Sequence, residues 1–227
     1  MNKIKAIPVT VFLCIAALHC FPQSIKWGNL KSEEKNIAYT NVGYDFGLVF
    51  GAGYDYQLNS KIPALLSASV SFPSGKKVFD DLKTKIGGQI RLYRIDNFQL
   101  SVSILGVYRR YENPLVRLQN FGSEMTGVIG YYKPKWFAAG EFGFDKAIVT
   151  HFKHSKSFKD NVYADVKDGW YEPATGGNFN YGLQAGYSFK RSDITLKAGK
   201  IMTQNFEGTL LIPYYMQLGY AFKMWKK

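Results

Sequence analysis

From Val42 to Leu58 the chain alternates without a break. Val42, Tyr44, Phe46, Leu48, Phe50, Ala52, Tyr54, Tyr56 and Leu58 take the even positions, and Gly43, Asp45, Gly47, Val49, Gly51, Gly53, Asp55 and Gln57 the odd ones. Strict period two is the side-chain repeat of a β-strand, and it excludes a helix, whose apolar positions recur every three or four residues. The same alternation returns in Ile62 to Phe72, Ile86 to Leu92, Phe98 to Ile104, Met125 to Tyr131, Trp136 to Phe144, Phe179 to Phe189, Ile194 to Ala198 and Leu210 to Phe222. The chain therefore reads as all-β.

Alternation alone does not say which face meets the core, because a soluble barrel and a lipid-embedded one share the period. The polar positions decide the expectation. A water-facing surface would be dense in Lys and Glu, whereas these positions read Ser67, Ser69, Ser71, then Gln99, Ser101, Ser103, then Asn178, Asn180, Gly182, Gln184, Gly186, Ser188. Small uncharged residues suit a narrow interior. Aromatic residues make up 16% of the chain, and those on the apolar face gather near strand ends: Tyr54, Tyr56, Phe72, Phe98, Trp136, Phe179, Tyr187, Phe189, Tyr214 and Phe222. That is the girdle expected where strands leave a bilayer, so the apolar face is predicted to meet lipid rather than to line a lipocalin-like barrel.

Lys3 and Lys5 followed by the apolar stretch Ile7 to Leu18 and the exit Pro22, Gln23, Ser24 read as a secretory signal over residues 1–23, leaving 24–227 as one barrel domain. Both cysteines, Cys14 and Cys20, fall in the signal, so neither a disulfide framework nor a four-cysteine zinc site has material. His19 before Cys20 argues against lipid attachment. Beyond residue 24 no run approaches the ~20 apolar residues of a membrane helix. Short connections at Asn59 to Lys61, Ile95 to Asn97, Lys133 to Lys135 and Arg191 to Asp193 alternate with longer ones at Pro73 to Lys83, Tyr111 to Gly122, Thr150 to Gly177 and Gln204 to Thr209. Nine strands are readable. An even number is needed to close, so Ser24 to Leu30 is assigned as the hidden first strand. The expectation is an antiparallel up-and-down transmembrane β-barrel of about ten strands, with eight as the fallback.

At this point the sequence resembles a small bacterial outer-membrane β-barrel along nearly all of the mature chain. The final strand, with Tyr214, Met216, Leu218, Tyr220 and Phe222, looks like the aromatic-ended terminal strand that the barrel-assembly machinery reads in this class. Here Lys223, Met224, Trp225, Lys226 and Lys227 follow Phe222 as a tail. The resemblance implies the outer membrane of a Gram-negative bacterium, with its lipid as partner.

The net charge is +12, or +10 without Lys3 and Lys5. Lys76, Lys77, Arg110, Arg117, Lys153, Lys156 and Lys159 fall at the outer rim, where lipopolysaccharide phosphates are natural counter-ions. No basic helix, zinc-ligand set or stacking motif accompanies the charge, which excludes nucleic acid. On the inward parity Asp45, Asp55, Glu124, Glu141 and Asp145 oppose Lys85, Arg91, Arg109, Lys190 and Lys197. Buried charges persist when paired, so a salt-bridge plug is expected. A narrow pore for small solutes or ions is the alternative.

Thr150 to Gly177 is the one connection long enough to carry chemistry. It holds His151, His154, Ser155, Ser157, Asp168, Trp170 and Tyr171. A metal site would need a helix to bring His151 and His154 onto one face, so no metal or other cofactor is expected. The segment is loosely similar to outer-membrane lipid A deacylases, in which a His and a Ser one residue apart share a strand face. Here His154 and Ser155 are adjacent, and His151 stands four residues from Ser155. The expectation is non-catalytic: a barrel displaying loops, with His151, His154, Trp170 and Tyr171 as contact candidates for an envelope component or protein partner. A lipid A-modifying deacylase is the enzymatic alternative.

Overall fold

The computed structural model describes residues 27, 30, 34–44, 47–74, 80–172, 177–206 and 213–224. The predicted signal segment, Asp45 and the Leu210 and Ile212 positions of the last apolar run lie outside the described residues. The strands are β1 (Asn36–Tyr44), β2 (Leu48–Gln57), β3 (Ala64–Pro73), β4 (Asp81–Ile95), β5 (Phe98–Glu112), β6 (Val116–Tyr132), β7 (Trp136–His154), β8 (Gly169–Tyr171), β9 (Gly177–Phe189), β10 (Ser192–Thr203) and β11 (Tyr214–Met224). One short helix, α1 (Lys156–Asn161), lies between β7 and β8. Each strand is antiparallel to its neighbours, and β1 pairs with β11 from Asn36↔Met224 to Tyr44↔Met216. Ten strands thus close into an up-and-down barrel, and β8 is an eleventh attached to β7 alone.

The tenth strand is not where the sequence placed it. Ser24 to Leu30 is no strand at its described positions Trp27 and Leu30; instead the first strand is β1, most of which precedes Val42, and the unbroken run from Val42 crosses the turn of the β1–β2 hairpin. Its register explains why periodicity missed the turn. Tyr44 sits opposite Leu48, so three residues separate the paired ends. Opposed residues share a face, so a loop of odd length returns the chain with its even positions still outward.

Tyr111 to Gly122 is likewise no long loop. β5 and β6 run on to a tight turn at Asn113 to Leu115, where the Asn113 carboxamide oxygen accepts from the backbone N–H of Leu115 (2.9 Å) and Val116 (2.8 Å). The turn placed at Arg191 to Asp193 is Lys190 and Arg191, with Ser192 and Asp193 inside β10. Asp96 and Lys190 take left-handed backbone (φ 47° and 54°) at the two tightest turns.

Along the barrel, Leu66, Ile86, Ile104, Met125, Ile129, Phe142, Leu183, Leu196 and Leu218 point outward and are exposed. The inner face is filled by polar side chains and a few rings. Tyr39 lies across Gly53, Phe137 across Gly186 and Tyr215 across Gly199, each glycine being the cross-strand partner of its ring. At each a Cβ would stand within 2.5 Å of a ring atom, so glycine is what lets the ring lie flat in a narrow bore. Trp27, Ile37, Tyr39, Leu65 and Ala221 pack together at the tight-turn end, and Val128, Tyr132, Phe137 and Ala139 form a second cluster.

Lys223, which the sequence consigned to a tail after Phe222, is instead an interior residue of β11, only 2% exposed. Its ammonium meets Asp193 at 2.8 Å, and its backbone N–H donates to the Arg191 carbonyl at 2.9 Å. Ser188 donates to the other Asp193 oxygen. Removing one partner of such a pair strands a buried charge and costs about 3–5 kcal/mol, whereas an apolar replacement of both is near neutral. Lys223→Met should therefore lower unfolding stability by that amount, read from urea titration of the refolded barrel, and Asp193→Leu added to it should restore most of the loss.

Candidate functional site in the lumen and at the loop end

The described members of the predicted inward charges fall into two groups, with one exception. At mid-barrel Lys85 meets Glu124 at 2.5 Å, and Lys197 meets Glu141 at 2.7 Å, with all four side chains at most 5% exposed. Tyr215 donates its hydroxyl to the second Glu141 oxygen at 2.6 Å. Asp55, 2% exposed, accepts from Ser67 on β3. Asp145 is tied to Asn178 across the β7–β9 pair. The space left among Asp55, Lys85, Glu124, Glu141 and Lys197 is a void of about 30 Å³, the size of a water molecule.

The second group lies at the ends. Arg109 is half exposed near the loop end, where its Nε donates to Asp81 at 2.7 Å and its Nη2 to the other carboxylate oxygen. Arg91 makes no salt bridge among the described residues; its guanidinium stands 5.9 Å from the Trp27 ring, a cation–π distance. Lys190 is the exception to the inward assignment. It occupies the left-handed position of the β9–β10 turn and is exposed, since a strand's parity ends where the chain turns. The sequence reading passed over Tyr215, Lys223, Asp193 and Lys83. The first three continue the inward odd parity of β10 and β11, so the signal was present.

Loop-end geometry depends on one β-bulge. Phe121 pairs with Val149 but Gly122 with Ala147, so Ile148 is extra, and the face that β7 turns inward changes from odd to even beyond it. Thr150 is consequently buried and Phe152 lines an internal chamber, whereas His151 turns outward and packs on Trp170 with ring centroids 4.9 Å apart. Trp170 in turn contacts Phe121, and Phe121 contacts Tyr108, giving an aromatic ladder across β8, β6 and β5 on the outer wall. Tyr171 meets Phe152 edge-on instead. The four contact candidates are brought together, but on two faces.

His154 and Ser155 have separate partners. The His154 Nδ1 lies 2.8 Å from Asp168, which also accepts from the His154 backbone N–H at 2.8 Å and from the Lys159 ammonium at 2.9 Å. The Ser155 hydroxyl caps α1, accepting from the Phe158 N–H at 3.1 Å. These contacts hold α1 and β8 as a folded arm on the end of β7. The three donors hold the Asp168 carboxyl below the usual carboxylate range, the His154 backbone N–H contributing most.

Just above the aromatic ladder, Glu112, Arg117 and Lys153 occupy directly opposed positions on β5, β6 and β7, and therefore share one face. Glu112 accepts from Arg110 at 2.6 Å and from Arg117 at 2.9 Å. Side-chain hydrogen bonds from Arg117 and then Arg110 hold its carboxyl down near 2, so it stays ionised at any physiological pH. No family model matches this chain, and no curated protein matches it either.

The Asp168 clamp gives a pH expectation with a definite sign. A carboxyl whose folded value is depressed adds stability above its unfolded value, near 4, and loses it only as pH falls through the folded one. The arm should stay protected against limited proteolysis when pH drops from 7 to 4. Asp168→Asn, by contrast, should open it at both pH values while the barrel remains closed.

Proposed function

We propose that this chain is a bacterial outer-membrane barrel with a sealed lumen, which anchors a folded arm and a basic, aromatic wall against the anionic outer leaflet. The observation that carries the reading is the inversion of faces: large aliphatic side chains cover the outside of the ring, while ion pairs fill the inside. Water does not favour so extensive an apolar exterior, whereas hydrocarbon does. Even the shortest strand of the ring, β1 with 9 residues, has the length needed to cross a bilayer. Aromatic Tyr108, Phe121 and Trp170 would then lie at the interface, with Arg110, Arg117 and Lys153 just above them to meet lipid phosphates. The water-sized mid-barrel void supports a non-conducting role over the pore alternative.

Leu183, at the middle of β9 and 73% exposed, tests the lipid-facing assignment. Leu183→Arg should cost about 2–4 kcal/mol of folding into vesicles, and Val162→Arg in the arm should leave folding unchanged. Equal tolerance at both would remove the membrane reading. In planar bilayers the protein should give no steady conductance; stable channel steps would put the pore first.

For the basic wall, Glu112→Gln frees two guanidiniums and should increase retention on lipopolysaccharide-containing vesicles. Joint replacement of Arg110, Arg117 and Lys153 by Gln should abolish the preference for those vesicles over neutral ones. Lipid A from cells carrying the protein should keep its mass, and this should be unaffected by Ser155→Ala. Loss of one acyl chain that depends on Ser155 would establish the deacylase alternative.

A further inference from the structure

Above the mid-barrel ion pairs the lumen opens into a chamber of about 490 Å³, a volume within the range of small-molecule sites. It is a consequence of the bulge at Ile148 and of small inward residues, among them Gly122 and Ala147. Apolar surface comes from Val107, Leu118 and Phe152. The charged lining is mostly cationic, with Lys83, Arg109 and Lys146 against Asp145. Lys83 on β4 and Arg109 on β5 are directly opposed on the inner face, an arrangement of like charges that costs stability unless an anion relieves it. Arg109 has Asp81, but the Lys83 ammonium has no salt bridge or side-chain hydrogen bond among the described residues. Asp145 on β7 feels the Lys83 charge but makes no salt bridge with it, and it shares a side-chain hydrogen bond with Asn178.

We propose that this chamber binds a small organic anion, its carboxylate or phosphate head between Lys83 and Arg109 and its compact apolar body against Val107, Leu118 and Phe152. Both head groups present oxygens to an ammonium and a guanidinium in the same way. The site goes beyond the lipid-facing role proposed above. It draws on the inner face, whereas the basic wall draws on the outer one, so either can fail alone.

The test uses the full mature chain in lipid nanodiscs and fluorine NMR line broadening of three probes: para-fluorobenzoate, para-fluorophenyl phosphate and the neutral para-fluorobenzyl alcohol. At least one anion should broaden, and the alcohol should not; the two anion titrations identify the preferred head. Lys83→Met removes a charge-assisted contact and should weaken that anion about tenfold. Ala147→Phe fills the chamber and should abolish binding, whereas Asp145→Asn removes a competing carboxylate and should tighten it. Each variant is first checked for the closed barrel by the gel shift between unboiled and boiled samples, and Arg109→Gln replaces Lys83→Met if that variant fails to close. Equal broadening by acid and alcohol, broadening that survives both Ala147→Phe and the loss of the cation, or no broadening by either anion would overturn the proposal.

Discussion

Closure of the sheet by the β1–β11 ladder is the constraint on which the other features depend. It removes the free edges that a flat sheet would present and fixes the bore at the width that ten strands allow. A bore of that width is filled by side chains, and the period-two repeat has already sent the polar ones there. Lys85–Glu124, Lys197–Glu141 and Lys223–Asp193 are what results when charges must share a space that holds little water. Each charge is satisfied by a partner from another strand, so the pairs tie β4 to β6, β7 to β10 and β10 to β11. Removing one member would leave the other buried and alone.

The glycines belong to the same account. A ring and a polar side chain do not both fit where strands face each other closely, and the chain resolves this by setting Tyr39, Phe137 and Tyr215 over glycines on adjacent strands. Tyr215 then reaches Glu141, so a packing solution also completes a hydrogen-bond network. The mid-barrel is dense for this reason, and the larger chamber lies beside the β6–β7 departure from regular pairing.

That departure is one residue. Ile148 reverses the facing of β7 beyond it, bringing Phe152 into the lumen and His151 onto the outer wall beside Trp170. The chamber and the aromatic ladder are therefore two consequences of a single bulge. Bulges recur near functional positions because they re-aim side chains without ending the sheet. Beyond the ring, α1 and β8 extend β7 as an arm held by the Asp168 contacts and the Ser155 cap.

The sequence by itself determined the strand type, the outward set of apolar residues and part of the inward set of charges, because side-chain alternation is local and needs no knowledge of partners. It also supplied the even strand count, although from the wrong segment: an odd-length turn after Tyr44 leaves the parity intact and invisible. Lys223 looked like a tail because aromatic Phe222 looked like an end, yet it carries the same inward parity as Gln217 and Ala221. Only the tertiary structure decided which charges pair, that Lys83 and Arg109 stand opposed, and that Ile148 turns His151 away from the chamber. Those outcomes depend on register and pairing between strands, which no single strand's pattern encodes.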